Sequence, residues 1–289
     1  NEEAYIERTI RAVVVQTALP RKWIIVSDGS TDRTDDIVKN YLPAHPWIEL
    51  VRMPEHRDRH FAAKVTCFNA GYEIVKNTEY DIVGSLDADI TFEPDYFEFL
   101  LRKFADTPRL GVAGTPFVEG ASSHYDYRFT NIEHVSGACQ MFKRECFEDI
   151  GGYIPIKGGG IDWTAVTMAR MKGWKTRTYT EKTCLHLRGI GTGNSGRLMT
   201  WFKQGRKDYF LGGHPLWQVC RSCYQITKTP YLIGGSLLLS GYLWSMIKNE
   251  ERPVPVELIS FHRREQMQRL KKIFSRRNVA DCIGQGCVW

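Results

Sequence analysis

Two acidic clusters in this chain have the residue types and spacing to handle a phosphate-bearing ligand. Asp87 and Asp89 stand at alternate positions in Leu86-Asp87-Ala88-Asp89, directly after the apolar run 81–86. One carboxylate there can hold a hard divalent cation, Mg²⁺ or Mn²⁺, while the other orients the ligand; water and substrate phosphate complete such a shell. A cation bridging a diphosphate offsets the charge that builds on it as a leaving group. The same spacing also suits a plain polar loop after a strand. Asp28 opens the second cluster, Asp28-Gly29-Ser30-Thr31-Asp32, a turn that can cap the helix after it. Asp162 follows Gly158-Gly159-Gly160 where a helix should begin. A carboxylate at that place serves either as an N-cap or as a general base that takes a proton from an attacking hydroxyl. His186, in Leu185-His186-Leu187, is open to two readings, a structural histidine or a metal ligand.

The elements that must position these groups follow from periodicity. Ile6, Ile10 and Val13 recur at helical spacing behind the acidic pair Glu2 and Glu3. Residues 22–27 (KWIIVS) predict a strand ending at Asp28, then a helix through Ile37, Val38 and Leu42, and a strand over 48–53. Residues 64–75 read as a helix and 81–86 as a strand ending at Asp87. Pro94 opens a helix carrying Phe97, Leu100, Leu101 and Phe104. Strands are expected over 110–118, 135–142 and 175–179, with helices and loops from about 197 onward. Alternating strands and helices predict an α/β fold with a mostly parallel sheet, whose ligands bind at the carboxyl ends of the strands. Asp28 and the Asp87/Asp89 pair fall at that edge.

In order along the chain stand Asn1-Glu2-Glu3, Val26-Ser27-Asp28-Gly29-Ser30-Thr31-Asp32, Leu86-Asp87-Ala88-Asp89, Gly151-Gly152-Tyr153 and Gly173-Trp174-Lys175. Together they resemble a family 2 glycosyltransferase of the GT-A fold, over roughly residues 1–190. The resemblance implies a Rossmann-like mixed sheet flanked by helices, a nucleotide-sugar donor (most often a UDP-sugar) and an inverting single displacement at the anomeric carbon. It implies that Asp28 contacts the nucleotide base, that Asp87 and Asp89 form the metal and diphosphate motif with Asp89 the direct ligand, that Asp162 is the catalytic base, and that His186 coordinates the metal. The chain departs from the pattern at Ile161, where relatives carry Glu, and Asn1 matches a position just after the family's first strand, so that strand is expected upstream.

Hydrophobic residues at 43% and charged residues at 25% exclude collagen-like, disordered, coiled-coil and multi-span membrane chains. Residues 261–278 hold seven basic side chains against Glu265, a local +6 that equals the net charge of the whole chain. The basic character is therefore a C-terminal feature, and with few interleaved aromatics it argues against nucleic acid as a partner. The eight cysteines read as packed thiols, with Cys220 and Cys223 an isolated C-x-x-C. Residues 229–247 carry no charge, but Pro230, Gly234, Gly235, Gly241 and several serines dilute them. A single span would place the catalytic part and the basic tail on opposite faces. We therefore expect a GT-A domain over 1–195 and a helical extension over 196–289, attached peripherally or monotopically to an anionic membrane surface on its cytoplasmic face.

The expected activity is transfer of a sugar to a hydroxyl of a lipid-linked or cell-surface glycan acceptor. Lys207 and Asp208 stand where the Gln-x-x-Arg-Trp motif of processive synthases, begun here at Gln204, has Arg and Trp, which argues for adding one sugar. The alternatives are a sugar nucleotidyltransferase, disfavoured by the lack of a Gly-rich phosphate loop, and a non-catalytic membrane-binding module. The loops 117–131 and 154–160 are expected to wall the acceptor pocket.

Overall fold

The computed structural model describes residues 1–54, 61–119, 132–156, 158–188 and 197–275. They divide into two compact units, one within 1–189 and one within 190–288.

The first unit alternates strands and helices, as the periodicity predicts. Helix α1 (Ile6–Val14) buries Ile6, Ile10 and Val13, the three positions that recur at helical spacing. Strand β1 (Trp23–Ser27) pairs in parallel with β2 (Ile48–Arg52), and α2 (Thr34–Lys39) joins them. Helix α3 (Phe61–Val75) leads to β3 (Ile82–Leu86) and the short β4 (Ile90–Thr91). Then come α4 (Tyr96–Asp106), β5 (Leu110–Gly114), β6 (Phe117–Glu119), β7 (Cys139–Lys143), α5 (Arg144–Asp149), α6 (Ile161–Met171), β8 (Lys175–Thr178) and β9 (Cys184–His186).

The sheets are mixed, which corrects the mostly parallel expectation. In the four-stranded sheet, ordered β3-β7-β5-β8, β7 runs antiparallel to both neighbours while β5 and β8 are parallel. A three-stranded sheet, β4-β9-β6, combines one antiparallel and one parallel pair. The run 110–118 is two strands in different sheets because Pro116 has no N–H to give a ladder. Its carbonyl instead accepts from Cys184 N at 3.0 Å, so the break hands the chain from β5 to the partner of β9.

The Gly151-Gly152-Tyr153 motif closes the turn after α5. Both glycines have positive φ (73° and 77°), a region that penalises a Cβ. The turn drives Tyr153 into a cluster with Phe68, Phe142 and Phe147, where its hydroxyl donates to Gln140 Oε1 at 2.7 Å. Because Phe68 belongs to α3, this cluster fixes that helix against β7.

The second unit holds α7 (Arg197–Phe210), α8 (Pro215–Ile226), α9 (Ile233–Ile247) and α10 (Val256–Ser275). Helix α9 meets its neighbours backbone to backbone. A Cβ at Gly205 would lie 2.0 Å from the Leu238 carbonyl oxygen, one at Gly241 would lie 2.1 Å from that of Phe202, and one at Gly235 would lie 2.4 Å from that of Ser222. Glycines that look like dilution of an apolar stretch are thus the contact surface. His214 caps α8, its ring accepting from Leu216 N at 3.1 Å. Among the described residues no helix is long and apolar enough to cross a membrane.

Candidate functional site

Three strand ends build the acidic edge. β3 delivers Asp87, whose N–H bonds the Ala138 carbonyl at 2.9 Å. The turn that follows is gripped from two sides. Thr9 of α1 donates to Ala88 O at 2.7 Å, and Leu187 N, just past β9, donates to Asp89 O at 2.8 Å. Asp89 is thereby held almost fully buried, its side chain 13% exposed, beside His186 at the end of β9.

Asp162 lies in the first turn of α6. It is not the N-cap: Gly160 fills that place in a left-handed conformation and no side chain caps the helix. Asp162 Oδ2 instead accepts from Gly137 N at 3.2 Å. A Cβ on residue 137 would sit 3.0 Å from the Cβ of Asp162, so the glycine makes room for the acid.

Lys64, one turn inside α3, ties this edge together, and sequence reading missed it. Its ammonium forms a close ion pair with Asp87 and donates to Gly137 O at 3.1 Å. Desolvation opposes its charge, but Asp87, Asp162 and Asp89 together outweigh that and raise its pKa. For Asp87, burial pushes the carboxyl up, Lys64 pulls against it, and the neighbouring Asp89 and Asp162 add to the rise. Three of the four acids singled out by sequence, Asp87, Asp89 and Asp162, therefore share one electrostatic site around one lysine. Asp28 reaches the same helix one turn on, at Cys67, whose thiol is pushed up to about 12 by burial and by the Asp28 carboxylate. A thiol so raised is a poor nucleophile at neutral pH.

His186 and Asp89 form a second grouping. His186 Nδ1 faces the Arg188 carbonyl, which can only accept, so Nδ1 carries the proton. His186 Nε2 faces Asp89 Oδ1 at 3.6 Å. When the imidazole is neutral, a lone pair there opposes a carboxylate, and a cation shared by the two relieves the conflict. Among the described residues no group of three or more His, Cys, Asp or Glu converges on one metal position. Two protein ligands nonetheless fit a Mg²⁺ or Mn²⁺ site completed by substrate phosphate and water. Arg188 Nε stands 3.6 Å from Asp89 Oδ2 and its guanidinium pairs closely with Glu2, linking the N-terminal residues to this edge.

Lys64 left a faint trace in the sequence. Lys64 is the sole basic residue of the α3 sequence FAAKVTCFNAGYEIV, and a lone positive charge in a largely apolar helix beside an acid-bearing sheet edge is a signal for a counter-ion. Loops 117–131 and 154–160 fall partly outside the described residues, as do Arg276, Arg277, Cys282 and Cys287. A concavity of about 730 Å³ lined by Glu3, Glu7, Arg33 and Tyr41, among others, shares no residue with the acidic edge.

Asp32, the last acid of the Asp28 cluster, does structural work. It accepts from Thr34 Oγ1 at 2.5 Å, Thr34 N at 3.1 Å and Glu3 N at 3.1 Å, joining the N-terminal segment to α2. Partial burial opposes its charge, yet these donors hold its carboxyl down at about 2. A depressed carboxylate stabilises the fold above its unfolded pKa of about 3.9, and that contribution is lost as pH falls toward 2. Asp32→Asn should therefore cost about 1 kcal/mol at pH 6, after allowance for solvent screening, and much less at pH 2.5. Urea unfolding of both proteins at the two pH values measures the difference.

Comparison with known proteins identifies the fold and the family. The structure resembles the mannosyltransferase PcManGT from Pyrobaculum calidifontis, solved with GDP-Man and Mn²⁺, at a TM-score of 0.56 and 18% identity, covering 95% of this chain and 79% of that one. It also resembles residues 1–349 of Staphylococcus aureus TarS in complex with UDP-GlcNAc, at a TM-score of 0.51 and 14% identity, covering 87% and 71%. At these identities the likeness establishes the GT-A fold. The poly-β-1,6-N-acetyl-D-glucosamine synthase of Staphylococcus aureus is 26% identical over 259 residues, which cover 79% of this chain and 56% of that protein. The chain thus spans little more than half the length of that relative. Residues 1–151, just over half of the chain, match the family described as Glycosyl transferase family 2. With its acids gathered at the strand ends of a GT-A fold, the chain belongs to glycosyl transferase family 2.

Proposed function

We propose that this chain is the catalytic part of an inverting, metal-dependent glycosyltransferase. It takes a sugar from a nucleotide donor, UDP-linked in our reading, and places it on a hydroxyl of a lipid-linked or cell-surface glycan. The observation that carries the proposal is the gathering of Asp87, Asp89 and Asp162 around Lys64, with His186 Nε2 3.6 Å from Asp89.

Each residue then has a task. Asp28, exposed at the end of β1 and beside Cys67, receives the base. Asp89 and His186 would hold a divalent cation, which supplies charge stabilisation to the departing diphosphate. Asp162 takes the proton of the acceptor hydroxyl as that oxygen bonds the anomeric carbon and the bond from this carbon to the diphosphate breaks, inverting the centre. Isothermal titration of UDP with and without Mn²⁺ tests the donor half. Binding that needs Mn²⁺ is the expected result; binding indifferent to metal, or none with UDP, GDP or dTDP, overturns it.

Attachment to the cytoplasmic face of a membrane is part of the proposal. α9 has 15 residues, about 22 Å at helical rise, short of a hydrocarbon core of about 30 Å. Its exposed side chains include Ile233, Trp244 and Ile247, and Lys248 lies over the Trp244 ring. Apolar side chains with an interfacial Trp–Lys pair favour a helix lying in the plane of the surface. Co-sedimentation with anionic, but not neutral, vesicles is expected.

Two observations bear on how many sugars are added. Gln204 donates to Asp208 on its own helix and Asp208 pairs with Arg221, so these side chains are engaged with one another, which favours a single addition. The synthase relative favours repeated addition. Product length on a defined acceptor decides between them.

A further inference from the structure

We propose that Lys64 is an exchangeable counter-ion: in the donor-free protein its ammonium stands in for the metal among the acids, and when metal and donor bind it moves to the diphosphate. The inference rests on the metal-dependent reading above and concerns what this lysine does for it.

The geometry gives Lys64 two partners at once, the Asp87 carboxylate and the Gly137 carbonyl, which occupy two of its three N–H donors. Gly137 also holds Asp162 through its N–H. One ammonium thus bridges the metal motif and the proposed base through a single residue's backbone. Charge explains why the bridge is needed. Three carboxylates, Asp87, Asp89 and Asp162, act on Lys64, and Arg188, near Asp89, is itself paired with Glu2, so the ammonium offsets much of the acids' mutual repulsion.

The same arithmetic makes the bridge temporary. A divalent cation added to three carboxylates and one ammonium brings the local sum to about zero, and a nucleoside diphosphate then brings in two or more negative charges. The ammonium is no longer required by the acids and is drawn to the phosphate oxygens. Lysine suits such a change of partner, being a compact charge on a flexible stem. Its side chain is 42% exposed, so it is reachable from solvent without unfolding α3. Lys64 is therefore expected to affect metal and nucleotide with opposite signs. It competes with the metal for the acids and helps the diphosphate.

The test is Lys64→Met, which removes the charge and keeps most of the stem, in the full chain. Mn²⁺ alone is titrated by the loss of its free-ion EPR signal, and UDP is titrated calorimetrically at saturating Mn²⁺. We expect Mn²⁺ alone to bind about three- to tenfold tighter than in the unsubstituted protein, and UDP about tenfold or more weaker. Lys64→Arg, which keeps a positive charge, should leave Mn²⁺ affinity near the original. If Lys64 only holds the fold together, both affinities fall in Lys64→Met, and that result overturns the inference. Unchanged Mn²⁺ affinity or unchanged UDP affinity overturns it as well. Failure of the underlying reading is seen separately, in the unsubstituted protein, as the absence of any metal-dependent UDP binding.

Discussion

Asp162→Asn is expected to lower sugar transfer by about 10²–10⁴-fold while leaving UDP affinity in the presence of Mn²⁺ within about twofold. The substitution is close to isosteric. The amide oxygen can still accept from Gly137 N, the bond that fixes the side chain at the head of α6. What is lost is the capacity to take a proton. The effect should therefore fall on kcat and spare donor binding, the pattern of an interaction used only as the acceptor is deprotonated. Turnover within about threefold of the original would remove Asp162 from the base position.

Asp89→Ala is the second large effect, and it should appear earlier in the sequence of events. Removing this carboxylate leaves His186 alone as a protein ligand at its end of β9. Metal-dependent enhancement of UDP binding should disappear, and transfer should drop by about 10³-fold or more, several kcal/mol of lost charge stabilisation. The fold should survive, because the turn is held through the main chain of Ala88 and Asp89, and Arg188 keeps its pair with Glu2. Calorimetry of UDP with Mn²⁺ and a thermal melt on the same sample separate loss of the site from loss of the fold. Retention of metal-dependent binding would assign the metal to other groups.

How much of this could be read from the sequence depended on whether the signal was local. The helical spacing of Ile6, Ile10 and Val13 reports directly on a buried face, and α1 buries those residues. Asp87 and Asp89 were legible because a strand pattern ends where they begin. The division of 110–118 between two sheets was less so. Pro116 carries the reason in its missing N–H, yet the pairing of β6 with β9 depends on residues some 67 positions away. Lys64 was hardest to see. Its role is set by Asp87, Gly137 and Asp162, brought to it by β3, the loop before β7 and α6, and no pattern within α3 encodes that meeting. Asp162 was legible as a charge at a helix start, but that it is not the cap is visible only in the fold, where Gly160 takes the cap position with a left-handed backbone.

The backbone contacts of α9 bear on how the second unit can change over generations. At Gly205 and Gly241 even a methyl group would overlap a carbonyl oxygen on the facing helix. Neither position can accept a first step toward any other amino acid unless the two helices part, which would undo the packing that both glycines exist to permit. Drift at these sites is closed off in single steps, whereas the outward side chains of the same helix are free to vary among apolar types. In a saturation library selected for function, positions 205 and 241 should retain glycine alone, and positions 233 and 247 should admit nearly every large aliphatic residue.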